Sequence, residues 1–155
     1  QIHHYDKVFD ENSTTKDVYE YAGTNIVKGV VNGINGTIFA YGQTSSGKTF
    51  TMLGGGEKAK GVLDLASTDL FHYMAERNDR DFIVRVSFVE IYNEIIRDLL
   101  SDASDNTVAI REDPRKGVYC EATEHVIGDF DGIMKAVQKG CSKRSVESTA
   151  MNDTS

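Results

Sequence analysis

The segment that most constrains the fold of this chain is GQTSSGKT, residues 42–49. It fits the pattern G-x-x-x-x-G-K-[ST], a glycine-rich loop that binds phosphate groups between a strand and a helix. The neighbouring residues agree, because the apolar run TIFAY (37–41) predicts a buried strand and a helix should begin near Lys48. The sequence therefore predicts an α/β protein with a phosphate-binding loop.

Each residue type in this loop suits a phosphate ligand. Gly42 and Gly47 allow the backbone to approach the phosphates closely, and N–H groups of residues 44–49 can point toward them. Lys48 is predicted to bind the β- and γ-phosphates, and the Thr49 hydroxyl to bind Mg²⁺. The predicted nucleotide-binding residues of the loop are Gly42, Gln43, Thr44, Ser45, Ser46, Gly47, Lys48 and Thr49.

Composition excludes several other classes of protein. The chain has 155 residues, 39% hydrophobic and 26% charged, which is ordinary for one globular domain. Its net charge of −7 argues against broad nucleic-acid binding. Neither a membrane-spanning run nor a signal peptide is predicted. Cys120 and Cys141 favour a reduced intracellular compartment, and the first residue, Gln1, indicates a segment of a longer protein.

The rest of the sequence predicts strands that alternate with helices. Strands are expected at 5–9, 37–41 and 82–92, and on both sides of the turn 113–116. Asn12, Ser13 and Thr14 are candidate caps of a first helix whose inner face is predicted to hold Val18, Ala22, Ile26 and Val30. One further helix is predicted to begin near Lys48, and the next to bury Leu63, Ala66, Leu70 and Met74. Two more are predicted over 93–100 and 130–140, the second of them ending at Gly140.

A phosphate-binding loop does not by itself choose a reaction, because small-molecule kinases, GTPases and mechanical ATPases share it. The guanine-binding pattern N-K-x-D is absent from the sequence. DFDG (129–132) matches D-x-x-G, but a helix-starting turn is the favoured interpretation. Glu90 is a candidate second Mg²⁺ ligand, although a strand-end carboxylate that caps the next turn is favoured.

The loop and its surroundings, INGTIFAYGQTSSGKTFTM (34–52), resemble the corresponding segment of kinesin motor domains. Further similar segments follow in the family's order: YDKVFDENSTTKDVYE, GVLDLASTDLF, VSFVEIYNEIIRDLL, IREDPRKGVY and RSVESTAMNDTS. The chain is thus similar to roughly the first half of a motor domain. TTKDVYE and AIREDPRKGVY are most similar to the centromere-associated kinesin group.

The resemblance implies a mixed β-sheet flanked by helices and a microtubule motor that hydrolyses Mg-ATP. It implies that Phe50 contacts adenine, whereas the residue pattern alone indicates a core position. Asn152 and Ser155 would act with Lys48 near the γ-phosphate. Microtubules and ATP are the implied partners, with no nucleic acid, no membrane insertion, and dimerisation through coiled-coil regions outside this segment. The implied location is the cytoplasmic cytoskeleton, with the spindle or kinetochore as a narrower option.

Arg115 and Lys116 would face tubulin, whereas composition alone predicts a solvated turn. Lys143-Arg144 stands where the family usually has Asn-Arg, and the sequence stops at Ser155 before the second nucleotide switch. Residues 1–155 alone are therefore expected to be inactive.

The loop 54–60, a site of inhibitor binding in the family, is expected to form a poor pocket. The alternatives are a kinesin-like binding module without catalysis and, less favoured, a non-motile P-loop kinase.

Overall fold

The structure, a computed structural model, describes residues 2–56, 59–115 and 117–152, with side chains up to Arg144. The chain divides into two compact units, Gln1–Asp81 and Phe82–Ser155. The described part of the first unit is helical, and that of the second consists of antiparallel strands and one long helix. None of the helices in the described residues has the length and hydrophobicity that a membrane span requires.

The first unit contains four helices in its described residues. Thr14 caps the first of them: its hydroxyl accepts from the Asp17 N–H at 3.2 Å, and the Asp17 carboxylate accepts from the Thr14 N–H at 2.7 Å. This reciprocal pair is a capping box, so the predicted cap at Thr14 is confirmed. The helices are α1 (Thr15–Ala22), α2 (Thr24–Val31), α3 (Lys48–Leu53) and α4 (Val62–Ala75).

The core of the first unit forms where α1, α2 and α4 meet, around Tyr19, Val27 and Val62. The Tyr19 hydroxyl donates to the Asp69 carboxylate at 2.8 Å, and burial together with this bond raises the pKa of Tyr19. The predicted inner face was wrong by one residue, because the buried positions are Tyr19, Gly23, Val27 and Val31. Gly23 ends α1, and a Cβ there would lie 2.4 Å from the Tyr19 ring.

The strands predicted at 5–9 and 37–41 are not formed. Among the described residues of the first unit, the β-type pairing is limited to a bridge between Gly54 and Lys60. An extended segment is a strand only when a neighbouring segment pairs with its backbone, and neither segment has such a neighbour among the described residues of the unit. The predicted burial of 37–41 is also wrong, since Tyr41 is 95% exposed.

The second unit is built from short antiparallel pairings. Its strands are β1 (Val84–Val86), β2 (Val89–Tyr92), β3 (Ile95–Asp98), β4 (Thr107–Val108), β5 (Ile110–Asp113), β6 (Gly117–Cys120) and β7 (His125–Ile127). The sheets are β1–β7, β2–β3–β4 and β5–β6. The run predicted as one strand at 82–92 is divided into β1 and β2. The strands predicted beside the turn 113–116 are confirmed as β5 and β6.

The helix predicted at 93–100 is wrong. Residues Asn93 and Glu94 have φ of 48° and 62°, so they form a two-residue hairpin turn with both residues left-handed. The register then places Tyr92 opposite Ile95, and β3 continues the sheet. Leu99 and Leu100 are buried just after β3.

The predicted end of the last helix at Gly140 is also wrong, because α5 (Phe130–Asn152) continues through it. A Cβ at Gly140 would lie 2.2 Å from Cδ1 of Phe88. The glycine therefore makes room for an aromatic ring from the segment between β1 and β2.

Candidate nucleotide-binding site

The predicted phosphate-binding loop leads directly into α3, which begins at Lys48 as expected. Gly47 precedes the helix with φ 90° and ψ 9°, a left-handed conformation that glycine adopts without steric cost. Ser45 is also left-handed, with φ 65°, which is uncommon for a residue with a side chain. Unusual backbone of this kind is concentrated at ligand-binding loops.

The loop also folds tightly on itself. The Ser46 N–H donates to the Gln43 carbonyl at 3.2 Å. A Cβ on Gly42 would lie 2.5 Å from the Ser46 hydroxyl, so a side chain at the first glycine of the motif would require Ser46 to shift. Gly42 and Gly47 thus serve different purposes, one for space and one for backbone conformation.

Lys48 extends back across the loop from the first residue of α3. Its ammonium donates to the Gly42 carbonyl at 2.8 Å and to the Gln43 carbonyl at 2.7 Å. An ammonium has three donors, so these two bonds leave one for another acceptor. The arrangement holds a positive charge at the loop that the motif assigns to phosphate.

Thr49 and Phe50 follow on α3, and both side chains are exposed. The Phe50 ring is 53% exposed, so it is not the core residue that the pattern alone indicated. A Cβ on Gly55 would lie 2.8 Å from Cε2 of Phe50, which means that the loop after α3 packs against the ring. The contact of Phe50 with adenine and that of Thr49 with Mg²⁺ remain predictions.

The other predicted site residues belong to the second unit. Arg115 is exposed in the turn between β5 and β6, where its N–H donates to the Asp113 carboxylate at 2.8 Å. Asn152 is the last residue of α5, and its side chain is not among those described. Lys116 and Ser155 lie outside the described residues.

Glu90 and Asp129 of the DFDG segment both bind other groups of the second unit. Glu90, on β2, accepts from Nε of Arg144 at 2.8 Å, so its carboxylate takes part in an ion pair. The Asp129 carboxylate accepts from the Gly132 N–H at 2.8 Å at the start of α5. This confirms the helix-starting turn as the interpretation of DFDG.

Sequence reasoning missed Asp98, the most buried charged group among the described side chains of the second unit, which is 2% exposed. Its carboxylate accepts from the N–H groups of Leu100 (2.9 Å), Ser101 (3.1 Å) and Thr123 (2.6 Å). Burial opposes ionisation, but these bonds outweigh it and lower the pKa of Asp98. An aspartate two residues before a chain reversal was the available signal.

The chain belongs to the kinesin motor domain family, which it matches over residues 1–155. It is 44% identical over 153 residues to a kinesin heavy chain from Syncephalastrum racemosum, covering 96% of this chain and 16% of the relative. It is equally identical to human centromere-associated protein E, covering 97% of this chain and 6% of the relative. A rice chloroplastic kinesin-like protein, KIN-7D, is also 44% identical, over 149 residues, covering 96% of this chain and 14% of the relative. The chain thus spans a small fraction of these relatives, and equal identity does not separate the centromere-associated group from the others.

Solved kinesin structures confirm the fold. A structure described as a fast kinesin, with implications for ATPase mechanism and interactions with microtubules, aligns with a TM-score of 0.87 and 32% identity. The alignment covers 96% of this chain and 43% of that one. A KIF14 dimer with AMP-PNP in complex with a microtubule aligns with a TM-score of 0.77 and 30% identity, covering 85% and 38% of the two chains. The predicted kinesin-motor-like α/β fold is therefore confirmed.

Proposed function

We propose that this chain is the nucleotide-binding part of a microtubule motor that hydrolyses Mg-ATP. One observation carries the proposal: the loop of Gly42–Thr49 has left-handed backbone at Ser45 and Gly47 before α3, and the Lys48 ammonium donates to two loop carbonyls. This arrangement occurs in a member of the kinesin motor domain family. A phosphate chain is the ligand that such a loop fits.

The residues of the loop divide the work of holding the nucleotide. The remaining donor of Lys48 binds the β- and γ-phosphates, and the backbone N–H groups of residues 44–49 bind the other phosphate oxygens. The Thr49 hydroxyl, exposed at the second position of α3, is an oxygen ligand for Mg²⁺. Bound Mg²⁺ supplies charge neutralisation for the phosphoryl group that is transferred.

Three further residues complete the proposed site. The half-exposed ring of Phe50 stacks on adenine. Asn152 and Ser155 respond to the γ-phosphate, so that the difference between ATP and ADP reaches the rest of the motor. Their support is the family resemblance and the position of Asn152 at the end of α5.

Attachment to the microtubule is proposed to involve Arg115 and Lys116. Arg115 is exposed at a hairpin turn, and the KIF14 relative was solved in complex with a microtubule. Positive side chains on a turn attract an acidic filament in a salt-dependent manner. A location on cytoplasmic microtubules follows from this function, with the spindle or kinetochore as a narrower option suggested by the centromere-associated relative. Dimerisation through a coiled coil outside the chain completes the proposal.

The test is ATP turnover by the full-length protein with and without microtubules. Turnover that rises several-fold with microtubules is expected. Replacing Arg115 and Lys116 by alanine should lower microtubule affinity most at low ionic strength. Each single alanine variant is compared with Lys135→Ala, which removes one charge from an exposed lysine on α5. Binding to microtubules without turnover would instead identify a non-catalytic module. Turnover that depends on a small-molecule acceptor would identify a kinase.

A further inference from the structure

Two lysines one helical turn apart on α5 meet a single turn of the second unit. The Asp102 carboxylate lies 2.7 Å from the ammonium of Lys139 and 3.4 Å from that of Lys143. The Lys143 ammonium also donates to the Ser101 carbonyl. We refer to Ser101, Asp102, Lys139 and Lys143 as the α5 clamp.

The turn that carries the acceptors is itself anchored by hydrogen bonds to the buried Asp98. The buried carboxylate of Asp98 accepts from the N–H of Ser101 at 3.1 Å and from the N–H of Thr123 at 2.6 Å. Asp98 is 2% exposed, so this anchor lies in the interior of the second unit. The backbone at Ser101 is therefore held in place, and the Asp102 side chain, which is 79% exposed, extends from the next residue to α5.

Neighbouring residues of α5 are fixed in the same stretch. Arg144 pairs with Glu90 of β2 at 2.8 Å, and Gly140 admits the ring of Phe88. The helix is thus tied to the strands from Lys139 to Arg144, two turns before it ends at Asn152. In this stretch Lys143 is the residue with both a carbonyl and a carboxylate as acceptors.

We propose that Lys143 is a positioning residue: by binding Ser101 and Asp102 it fixes the part of α5 that leads to Asn152. The inference rests on the proposed role of Asn152 at the γ-phosphate. The long, flexible side chain of lysine reaches both acceptors. Asparagine, the residue that the family usually has at this position, is shorter and does not extend as far. Displacing this stretch of helix should then weaken discrimination between triphosphate and diphosphate while leaving diphosphate affinity unchanged.

The test compares the dissociation constants of ADP and AMP-PNP for the full-length protein and its Lys143→Met variant. Methionine keeps most of the aliphatic length and removes the charge. The dissociation constant of ADP divided by that of AMP-PNP is expected to fall about three-fold, because the variant binds AMP-PNP more weakly. This is the scale of a partly exposed ion pair. The affinity for ADP should stay within about two-fold. Lys143→Arg should restore the ratio, and Lys135→Met on the same helix should leave it unchanged.

Equal weakening of both nucleotides, a shift in Lys135→Met as large as that in Lys143→Met, or a Lys143→Arg variant no better than methionine would overturn the proposal. A parent protein that binds neither nucleotide would contradict the proposed function instead. In that case amide hydrogen exchange over 145–152 decides the positioning claim. Faster exchange in Lys143→Met than in Lys135→Met supports it, and equal exchange refutes it.

Discussion

Lys48 in the first unit and Asp98 in the second each bind more than one backbone group, but the two side chains differ in their surroundings. In the first unit, the half-buried Lys48 ammonium lies on the carbonyls of Gly42 and Gln43. In the second, the Asp98 carboxylate is 2% exposed and accepts from three N–H groups. Lys48 retains a donor for a ligand, whereas Asp98 is enclosed by its own chain.

The difference separates a charge kept for binding from a charge used for folding. The carbonyls that Lys48 contacts belong to an exposed loop, so water can replace the ammonium at little cost to stability. The N–H groups on Asp98 lie at a buried position, where an unsatisfied donor is costly. Loss of Lys48 should therefore affect activity more than stability, and loss of Asp98 should do the reverse.

The largest expected effect is on catalysis by Lys48→Ala. Removing the charge that binds the β- and γ-phosphates should lower ATP turnover by about 100-fold or more, as for other donors that stabilise developing negative charge. The midpoint of urea unfolding should shift little. Turnover and unfolding are measured on the same preparation, with Lys60→Ala, an exposed lysine of the same unit, as the control. Turnover within a few-fold of the parent would remove Lys48 from the proposed mechanism.

The second prediction concerns Asp98→Ala, which leaves the N–H groups of Leu100, Ser101 and Thr123 without their acceptor. The free energy of unfolding should fall by about 2–3 kcal/mol. Asp105→Ala is the matched control, because the exposed Asp105 accepts from one N–H, that of Thr107. A loss no larger than in this control would show that the enclosed carboxylate does not stabilise the second unit.

The same residue gives a pH dependence of known sign. Hydrogen bonds lower the pKa of Asp98 in the folded protein despite the opposing effect of burial, so folding favours the ionised form. Its contribution is fully present above the ordinary carboxyl pKa of about 4. It is lost as the pH falls through the folded value. The stability difference between parent and Asp98→Ala should therefore be constant near neutrality and narrow below about pH 4 in urea titrations.

The two units also differ in how far the sequence predicted them. In the first, the cap at Thr14, the left-handed Gly47 and the helix start at Lys48 depend on residues within one turn, so local patterns sufficed. Its predicted strands at 5–9 and 37–41 failed, because pairing depends on a neighbour that a local pattern does not supply.

In the second unit, the sequence was least informative where distant residues decide the structure. Residues 93–100 have a plausible helical spacing, but antiparallel pairing with β2 and the left-handed turn at Asn93 and Glu94 make them a hairpin. Gly140 has the residue type of a helix terminator, but the structure shows that the Phe88 ring fills the space that a side chain at Gly140 would need. Tertiary packing overrides local preference in both cases.

Two glycine substitutions sharpen this contrast. Glycine-to-alanine changes inside helices normally stabilise by up to about 1 kcal/mol. Gly29→Ala in α2 should do so, because its Cβ would meet Cβ of Ile34 at an ordinary 3.8 Å. Gly140→Ala in α5 should instead destabilise by about 1–2 kcal/mol, because its Cβ would overlap Phe88. Shifts of the same sign in thermal unfolding of the two variants would contradict the packing argument.

The smallest expected effect returns to the first unit, where Phe50 is half-exposed beside the loop. If its ring stacks on adenine, Phe50→Ala should weaken ATP binding by about 1 kcal/mol and leave the affinity for inorganic triphosphate unchanged. Gly55→Ala provides a second approach, since a Cβ there would lie 2.8 Å from Cε2 of Phe50 and displace the ring without removing it. It should shift the ATP-to-triphosphate ratio in the same direction. Equal losses for ATP and triphosphate in Phe50→Ala would mean that the ring only shapes the phosphate loop, and the adenine contact would have to be sought elsewhere.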